Sequence, residues 1–438
     1  MPLSSSIYPT GNIPLFIAFR VLFNVRFYYP VLGILFLDLG LSLEQYSILN
    51  AVWAATIILL EIPSGALADL IGRRRMVVAA GALMVCEMLI FAFSPAGPWL
   101  FWLLALNRVL SGAAEACASG ADEALAYDSL DPSKRESAWP DVLARLVRWS
   151  SGSFFVAMIV GAAVFDAGLL NRTAGWLGLS PGLLQSQTLR WPVYLTLATA
   201  VPALACALLM REPPGRPPAH RAPIAGAIRN IFSAARFVFT SRRILLLLLV
   251  AVLFDSTVRI FLTFASNYYR LIELPEFTNG ILGSAYALLG FVSAFFARRL
   301  AGRVPAWTVF ILVGCLLFAG LCGLAVATPY WGVWVLLPIG LAMPMLYYFL
   351  SNFLNEWTDS SIRATVLSFR GMAMNLGYGF AGISFAAITA GIRSSSPELT
   401  TNELFHRSLL SLPAAFAGGA LLVAAFAWIT RRKSPGAS

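Results

Sequence analysis

The amino-acid sequence predicts an all-α membrane protein with twelve transmembrane helices arranged in two six-helix halves. The chain is 59% hydrophobic and only 12% charged, whereas soluble globular proteins are about half apolar and a quarter charged. Its mean hydropathy is +0.77, and most polar residues fall in short gaps between long apolar runs. Lipid rather than water is therefore the expected solvent for most of the chain.

Twelve apolar runs are long enough to cross a bilayer, because a spanning helix needs about 20 residues. Short polar gaps, often containing Gly or Pro, separate one run from the next. The predicted helices are 13–37, 46–68, 77–95, 99–127, 138–166, 190–210, 244–269, 278–299, 306–327, 331–356, 364–391 and 405–430.

Basic residues are distributed unevenly between two sets of gaps. One set holds clusters of Arg and Lys, at 73–75, 134–135, 298–299, 303, 363 and 431–433. The positive-inside rule assigns that side to the cytoplasm, so both termini are predicted to be cytoplasmic. The N-terminus has no basic region before its first apolar run, so no removable signal peptide is predicted. We expect a multi-pass protein of the cell (inner) membrane.

The longest polar stretch divides the predicted helices six from six. Residues 1–211 are the predicted N-terminal six-helix bundle, 212–243 a cytoplasmic linker, and 244–438 the C-terminal six-helix bundle. The linker begins with a proline-rich spacer and continues with apolar residues at helical spacing, interleaved with Arg229, Arg236 and Arg243. This pattern predicts an amphipathic helix on the inner membrane surface, with a plain basic linker as the alternative. Short matches between VLFNVRF (21–27) and VLFDSTVRIF (252–261) are consistent with the internal repeats of transporters.

The sequence argues against several other classes of function. Its two lysines, Lys134 and Lys433, follow no glycine-rich loop, which excludes a Walker-type ATPase. It carries two histidines and no nucleophile motif, so an enzyme is not expected. The five cysteines lie in apolar runs without metal-like spacing, so no metal or other cofactor is predicted. The scattered arginines do not form the basic patch of a nucleic-acid-binding protein. A channel or lipid scramblase is a less favoured alternative to a transporter.

A charged motif lies in the predicted loop between helices two and three, in the stretch LLEIPSGALADLIGRRR (59–75). It resembles the loop motif of the major facilitator superfamily (MFS), roughly Gly-x-x-x-Asp-x-x-Gly-Arg-Arg, through Gly65, Asp69, Gly72, Arg73 and Arg74. In helix four, Arg108 and Gly112 match the family's Arg-x-x-x-Gly. The resemblance covers nearly the whole chain and implies the MFS fold, with helices one, four, seven and ten lining the substrate cavity.

The resemblance also implies that the loop residues form a cytoplasmic gate between the two halves, which breaks when the protein opens inward. The loop supports this role physically, since Gly72 permits a tight turn and an acid can bond to exposed N–H groups of a facing helix. Charged residues in the cytoplasmic thirds of other helices are expected to complete the gate. These are Asp128, Arg145, Glu356 and Arg363.

Charged residues near the bilayer centre are functional candidates by default, because burying a charge in lipid is costly. Asp255 and Arg259 are four residues apart and share one face of helix seven. A carboxylate removed from water can take up a proton near neutral pH, so proton coupling is assigned to Asp255, Glu115 and Arg108. The alternative for Asp255 and Arg259 is a neutral ion pair with no role in transport.

Other polar and aromatic residues of the predicted cavity-lining helices are candidates for substrate binding. These are Asn24, Arg26, Arg259, Tyr347, Asn352 and Asn375. Glu87, in helix three, receives no predicted role.

The sequence therefore predicts a secondary transporter that moves a small organic solute by alternating access. The resemblance is nearest to bacterial efflux-type members and favours a proton-coupled antiporter that exports its substrate across the plasma membrane. Helix five departs from the antiporter pattern, because it contains glycines but no proline. The alternative is proton symport of an anionic metabolite into the cell, since the interior arginines suit carboxylate or phosphate groups. Expected partners are the solute, a proton and membrane lipids, and a monomer is expected.

Overall fold

The computed structural model of the protein describes residues 11–213, 224–301, 303–358 and 363–432. Within these ranges the chain is helical or irregular, and no strand occurs.

Ten α-helices are described before the linker. They are α1 (Asn12–Asn24), α2 (Leu32–Asp38), α3 (Leu43–Ile71), α4 (Arg73–Phe93), α5 (Leu100–Ala118), α6 (Ala121–Asp128), α7 (Arg135–Phe165), α8 (Ala167–Trp176), α9 (Gln185–Thr188) and α10 (Trp191–Leu209). A short 3-10 helix at Tyr29–Val31 connects α1 to α2.

Nine further helices are described after it. They are α11 (Ile224–Thr240), α12 (Arg242–Thr263), α13 (Ala265–Leu271), α14 (Thr278–Leu300), α15 (Ala306–Val326), α16 (Leu336–Trp357), α17 (Arg363–Ser395), α18 (Thr401–Leu409) and α19 (Ser411–Arg432). A 3-10 helix at Trp331–Val335 precedes α16.

The prediction of twelve transmembrane helices is confirmed. Twelve helices or helix pairs in the described ranges are long and apolar enough to cross a membrane. They are α1 with α2, α3, α4, α5 with α6, α7, α9 with α10, α12, α14, α15, α16 with the 3-10 helix before it, α17, and α18 with α19. The cytoplasmic location of both termini stays a prediction.

The helix predicted in the linker corresponds to α11, which begins at Ile224. Phe232 and Phe239 on this helix are exposed, as expected for residues that contact lipid. Its position on the membrane surface stays a prediction.

The first membrane span is broken near its middle, which the sequence did not predict. Helix α1 ends at Asn24, and Val25 is extended. The freed backbone N–H of Phe27 donates to the Thr196 hydroxyl of α10 at 3.0 Å. Gly161 of α7 makes room for the break, since a Cβ at that position would lie 1.7 Å from the Phe27 carbonyl oxygen.

The chain forms two compact units. The first comprises Met1–Leu41, Val52–Ala227 and Glu276–Ser284, and the second comprises Ser42–Ala51, Ile228–Pro275 and Ala285–Ser438. The first residues of α3 thus group with the second unit, and the first residues of α14 group with the first unit. This exchange of two short segments is not visible in the sequence.

Candidate functional site

The strongest candidate site lies in the second unit, around the carboxylate of Asp255 on α12. Asp255 is fully buried, with 0% of its side chain exposed. Arg259, one helical turn later, places Nε and Nη2 each 2.8 Å from Oδ2 of Asp255. The Tyr347 hydroxyl on α16 donates a hydrogen bond to the other oxygen, Oδ1. The buried charge is therefore compensated on both oxygens, as a buried carboxylate requires.

The guanidinium of Arg259 has a second set of neighbours on α17. Its Nη1 donates to Oδ1 of Asn375 at 3.1 Å. Its central carbon lies 4.8 Å from the centre of the Tyr378 ring, within the range of a cation–π contact. The Tyr378 hydroxyl is 2.8 Å from the Thr263 hydroxyl, which holds the ring in place. The Arg259 side chain is 24% exposed. It therefore contacts the buried carboxylate of Asp255 and remains partly accessible to other molecules.

Helix α17 lies against α12 at this level because residue 377 is glycine. A Cβ there would lie 2.4 Å from Val252 and 2.7 Å from the hydroxyl oxygen of Ser256. This close approach places Asn375 and Tyr378, on either side of Gly377 in the sequence, within reach of α12. The Asp255 site therefore depends on backbone packing as well as on its polar side chains.

The site joins an acid that the sequence assigned to proton coupling to a cation that it assigned to substrate binding. The Asp255 carboxylate holds the Arg259 guanidinium by an ion pair that includes a charge-assisted hydrogen bond from Nε. Three predicted substrate-binding residues, Arg259, Tyr347 and Asn375, thus meet at the residue predicted to couple protons.

A second buried cluster lies in the first unit and gives Glu87 a partner. The Nη1 of Arg26 contacts Oε1 of Glu87 in an ion pair with side-chain exposures of only 5% and 0%. Arg26 also donates from Nε to the Phe23 carbonyl at 3.2 Å. The sequence placed Arg26 inside a continuous helix, and this was wrong: the residue lies in the break after α1. The break frees the Phe23 carbonyl and directs the Arg26 side chain to α4.

Arg108 on α5 adds a second cation to this cluster without adding an acid. It is 6% exposed, and its guanidinium lies 5.0 Å from the centre of the Phe36 ring. Among the described residues its Nε and Nη2 have no hydrogen-bond partner, and Oε2 of Glu87 also has none. Asn107, the residue before, donates to the Glu87 backbone carbonyl at 2.7 Å and connects α5 to α4. Arg108 is thus a second buried cation on a helix that contacts α4, and among the described residues Glu87 forms its ion pair with Arg26.

The loop motif lies at a junction between α4 and α10 within the first unit. Gly72 has φ 101°, a conformation that favours glycine, and α4 begins at the next residue. Both carboxylate oxygens of Glu212 cap this helix, accepting from the backbone N–H of Arg73 at 3.2 Å and of Arg74 at 2.9 Å. In return, the Arg74 side chain donates to the carbonyls of Leu208 and Met210 at the end of α10. Charge and helix dipole are complementary at both helix ends.

The side chain of Arg73 contacts the end of α6. It forms an ion pair with Asp128 and donates to the Ala124 carbonyl at 2.9 Å. Arg135 approaches the same carboxylate at 3.6 Å. The sequence assigned Arg73, Arg74 and Asp128 to a gate between the halves. The contacts described for these three residues lie inside the first unit.

The remaining predicted site residues are not part of these clusters. Asn24 is exposed, and its side chain donates to the Arg20 carbonyl at 2.8 Å. Glu115 and Arg145 are half-buried, whereas Gly65, Asn352 and Glu356 are exposed. The side chains of Asp69 and Arg363 lie outside the described residues.

Glu212, Asn107 and Tyr378 are site residues that sequence reasoning missed. Tyr378 follows the predicted Asn375 by three residues, so helical spacing could have indicated it. Glu212 is an isolated acid at the start of a basic linker, and only folding shows that it caps α4.

Comparison with known proteins places this geometry in a family. The Major Facilitator Superfamily model matches residues 15–382, whereas no curated protein sequence matches the chain. The fold is similar to the crystal structure of the nucleoside transporter NupG, with a TM-score of 0.71 at 13% identity, covering 94% of this chain and 98% of that one.

Two further solved structures have the same architecture. A bacterial homologue of the human lysosomal transporter Spinster, in an inward-facing and unoccupied conformation, gives a TM-score of 0.65 at 17% identity, covering 97% of this chain and 99% of that one. A D-xylose–proton symporter gives 0.62 at 14% identity, covering 92% and 96%. Identities this low support the fold alone. Because the family model matches most of its length, the chain belongs to the major facilitator superfamily and is a secondary transporter, not an enzyme.

Proposed function

We propose that the protein is a proton-coupled symporter of a small organic anion, with Asp255 as the proton acceptor and Arg259 as the anion ligand. The observation that carries the proposal is that Arg259 is held by a buried carboxylate and is itself partly exposed. An anion that reaches Arg259 competes with ionised Asp255 for the same guanidinium. A proton on Asp255 removes the competitor.

Proton and anion therefore favour each other's binding at this site. By linkage, if protonation of Asp255 raises the affinity for the anion, the bound anion raises the affinity for the proton by the same factor. Joint binding favours joint movement, which is symport. With a proton gradient directed into the cell, symport brings the anion in.

The efflux hypothesis from the sequence requires the opposite relation, in which proton and substrate compete. A cationic substrate could exchange with a proton on Asp255, but Arg259 would repel it. One observation favours antiport at another place: Glu115 is half-buried and has no ion-pair partner among the described side chains. Proton-coupled efflux of a cationic or neutral compound through Glu115 is therefore the second candidate.

The contacts at the start of α4 support a structural part for the predicted gate residues. We expect the Arg73–Asp128 pair and the Glu212 cap to keep α4, α6 and α10 together as one body during the transport cycle. Any contact of Asp69 with the other half stays a prediction, as do the monomeric state and the cell-membrane location.

Transport measurements in proteoliposomes test the proposal. Purified protein is reconstituted with an internal pH dye, and a panel of anionic, neutral and cationic compounds is added under an imposed pH gradient. Of the three classes, we expect only the anionic compounds to cause proton movement. Each proton should enter the vesicles together with an anion. Asp255→Asn should abolish the coupling, whereas Glu398→Gln, a change to an exposed acid in the same unit, should not.

Two results would contradict the proposal. Full pH-driven anion uptake by Asp255→Asn would remove Asp255 from the mechanism. Proton movement driven by cations, and lost in Glu115→Gln, would support the efflux candidate in place of symport.

A further inference from the structure

An open groove lies between α1 and α7 in the first unit, and neither Arg26 nor Glu87 lines it. Its cavity volume is about 490 Å³, within the usual range for small-molecule sites of roughly 300 to 1,000 Å³. The lining is almost entirely apolar. Its main contributors are Ile13, Ile17, Val21 and Leu22 from α1, with Arg145 and Trp149 from α7. We call this the α1–α7 groove.

The spacing of these residues gives the groove two distinct parts. Ile13, Ile17 and Val21 recur every four residues and form one continuous apolar stripe along α1. Arg145 and Trp149 are also four residues apart, so both project from one face of α7. The groove therefore presents a long apolar wall opposite a cation and an aromatic ring.

Arg145 brings a half-buried positive charge to this apolar site. Among the described residues it takes part in no ion pair or side-chain hydrogen bond. Asp141 is one turn earlier on α7 but forms no ion pair with it. Arg20, on α1, is already paired with Asp122 at 3.1 Å. An anion is the chemical group that this cation lacks.

We propose that the α1–α7 groove is a subsite for an amphiphilic organic carboxylate. The apolar body lies along Ile13, Ile17 and Val21, and the carboxylate accepts hydrogen bonds from Arg145. The exposed Trp149 ring covers the body on the opposite side, where an amphipathic ring suits a half-wet site. The inference rests on the proposed function and narrows it: the transported anion has an apolar tail, and it binds in the groove through Arg145 at a different stage from its binding at Arg259.

Equilibrium binding to the full-length protein in neutral-lipid nanodiscs tests the subsite, with empty nanodiscs as the blank. The ligands are the straight-chain carboxylates from butanoate to octanoate and the matching alcohols. Each added methylene should raise the affinity about fourfold, because burying one CH₂ contributes about 0.8 kcal/mol. Carboxylates should bind roughly tenfold or more tightly than alcohols of equal length, because they make a charge-assisted hydrogen bond.

Substitutions in α7 identify the groove as the site of binding. Arg145→Gln should remove the preference for carboxylates and keep the dependence on chain length, whereas Arg145→Lys should retain part of the preference. Trp149→Ala should weaken binding of the long chains most. Arg148→Gln is the matched control, since Arg148 is an exposed arginine on the same helix that does not line the groove, and it should change nothing.

Three outcomes would overturn the subsite. The first is an affinity that does not depend on chain length, and the second is an equal effect of Arg145→Gln and Arg148→Gln. Loss of all carboxylate binding when anionic phospholipid is added to the nanodiscs would show that a lipid chain occupies the groove.

The variant Asp255→Asn separates this inference from the proposed function. It should bind the carboxylates with an unchanged chain-length dependence while losing proton coupling. Coupled transport without groove binding would overturn the subsite alone. Groove binding without coupled transport would overturn the symport proposal alone.

Discussion

Replacement of Glu87 by Gln should strongly destabilise the protein, although it removes only one charge from the interior. Glu87 and Arg26 are 0% and 5% exposed in their ion pair. Arg108, 6% exposed, is the other buried cation of the cluster. Gln preserves the shape of the side chain. The backbone carbonyl of residue 87 also keeps its hydrogen bond from the Asn107 side chain. The change therefore isolates the effect of the carboxylate charge.

The magnitude follows from the burial of the pair. Removing one partner of a buried ion pair costs about 3–5 kcal/mol, because it leaves an uncompensated charge in a medium that solvates it poorly. For a unit of 150–250 residues, 1 kcal/mol changes Tm by about 2–4 °C. The expected loss in Glu87→Gln is therefore roughly 6–20 °C in Tm. The double variant Arg26→Gln/Glu87→Gln should lose less than the sum of its single variants, by about 0.5–3 kcal/mol.

Thermal unfolding in detergent, followed by tryptophan fluorescence, measures these differences. Glu123→Gln is the control, because Glu123 is an exposed acid in the same unit, and exposed substitutions usually change stability by less than about 0.5 kcal/mol. If Glu87→Gln unfolds at the same temperature as the control, the buried pair does not stabilise the first unit. Strict additivity in the double variant would show that Arg26 and Glu87 are not coupled.

Two backbone features of the first unit give further predictions. Gly161→Ala would place a Cβ 1.7 Å from the Phe27 carbonyl oxygen and should cost about 1–3 kcal/mol; Gly152→Ala, with no atom within 4 Å, should be neutral or stabilising in the same thermal assay. Glu212→Ala removes the acceptor for the first two N–H groups of α4, and it should cost about 1 kcal/mol. It should also speed hydrogen exchange in the first turn of that helix, and unchanged exchange would show that the Glu212 cap does not stabilise α4.

The transmembrane helices could be predicted from the sequence because each one is indicated by its own run of apolar residues. A run of about 20 apolar residues can lie in a bilayer only as a helix whose backbone groups are satisfied internally. Each span is therefore visible without knowledge of its neighbours. The break after Asn24 was not visible, since its freed N–H group is satisfied by Thr196, far away in the sequence.

The Asp255–Arg259 pair was predictable for the same reason, because i,i+4 spacing on a helix brings two side chains together. Tyr347 was predicted as a substrate-binding residue. Its hydrogen bond to Asp255 could not be predicted, because the two residues are 92 positions apart in the sequence. Partners at that separation are determined by how helices pack, for example by the close approach at Gly377.

Glu87 shows what a physical rule could have added to the sequence analysis. A carboxylate in an apolar run needs a cation, and Arg26 and Arg108 were the arginines placed near the membrane centre of the same half. The rule restricts the partner of Glu87 to these two arginines. Only the packing of the helices shows that Arg26 is the one that forms the ion pair. The gate residues Arg73 and Asp128 are a similar case, because they are 55 residues apart and meet only when α4 packs against α6.

The central claim is that proton and anion bind together at Asp255 and Arg259. Its most direct test measures whether the purified protein takes up or releases protons when octanoate binds. The measurement is made in weakly buffered solution containing a pH dye. The account predicts proton uptake by the wild-type protein and none by Asp255→Asn. Proton release on binding, or equal uptake by both proteins, would contradict it.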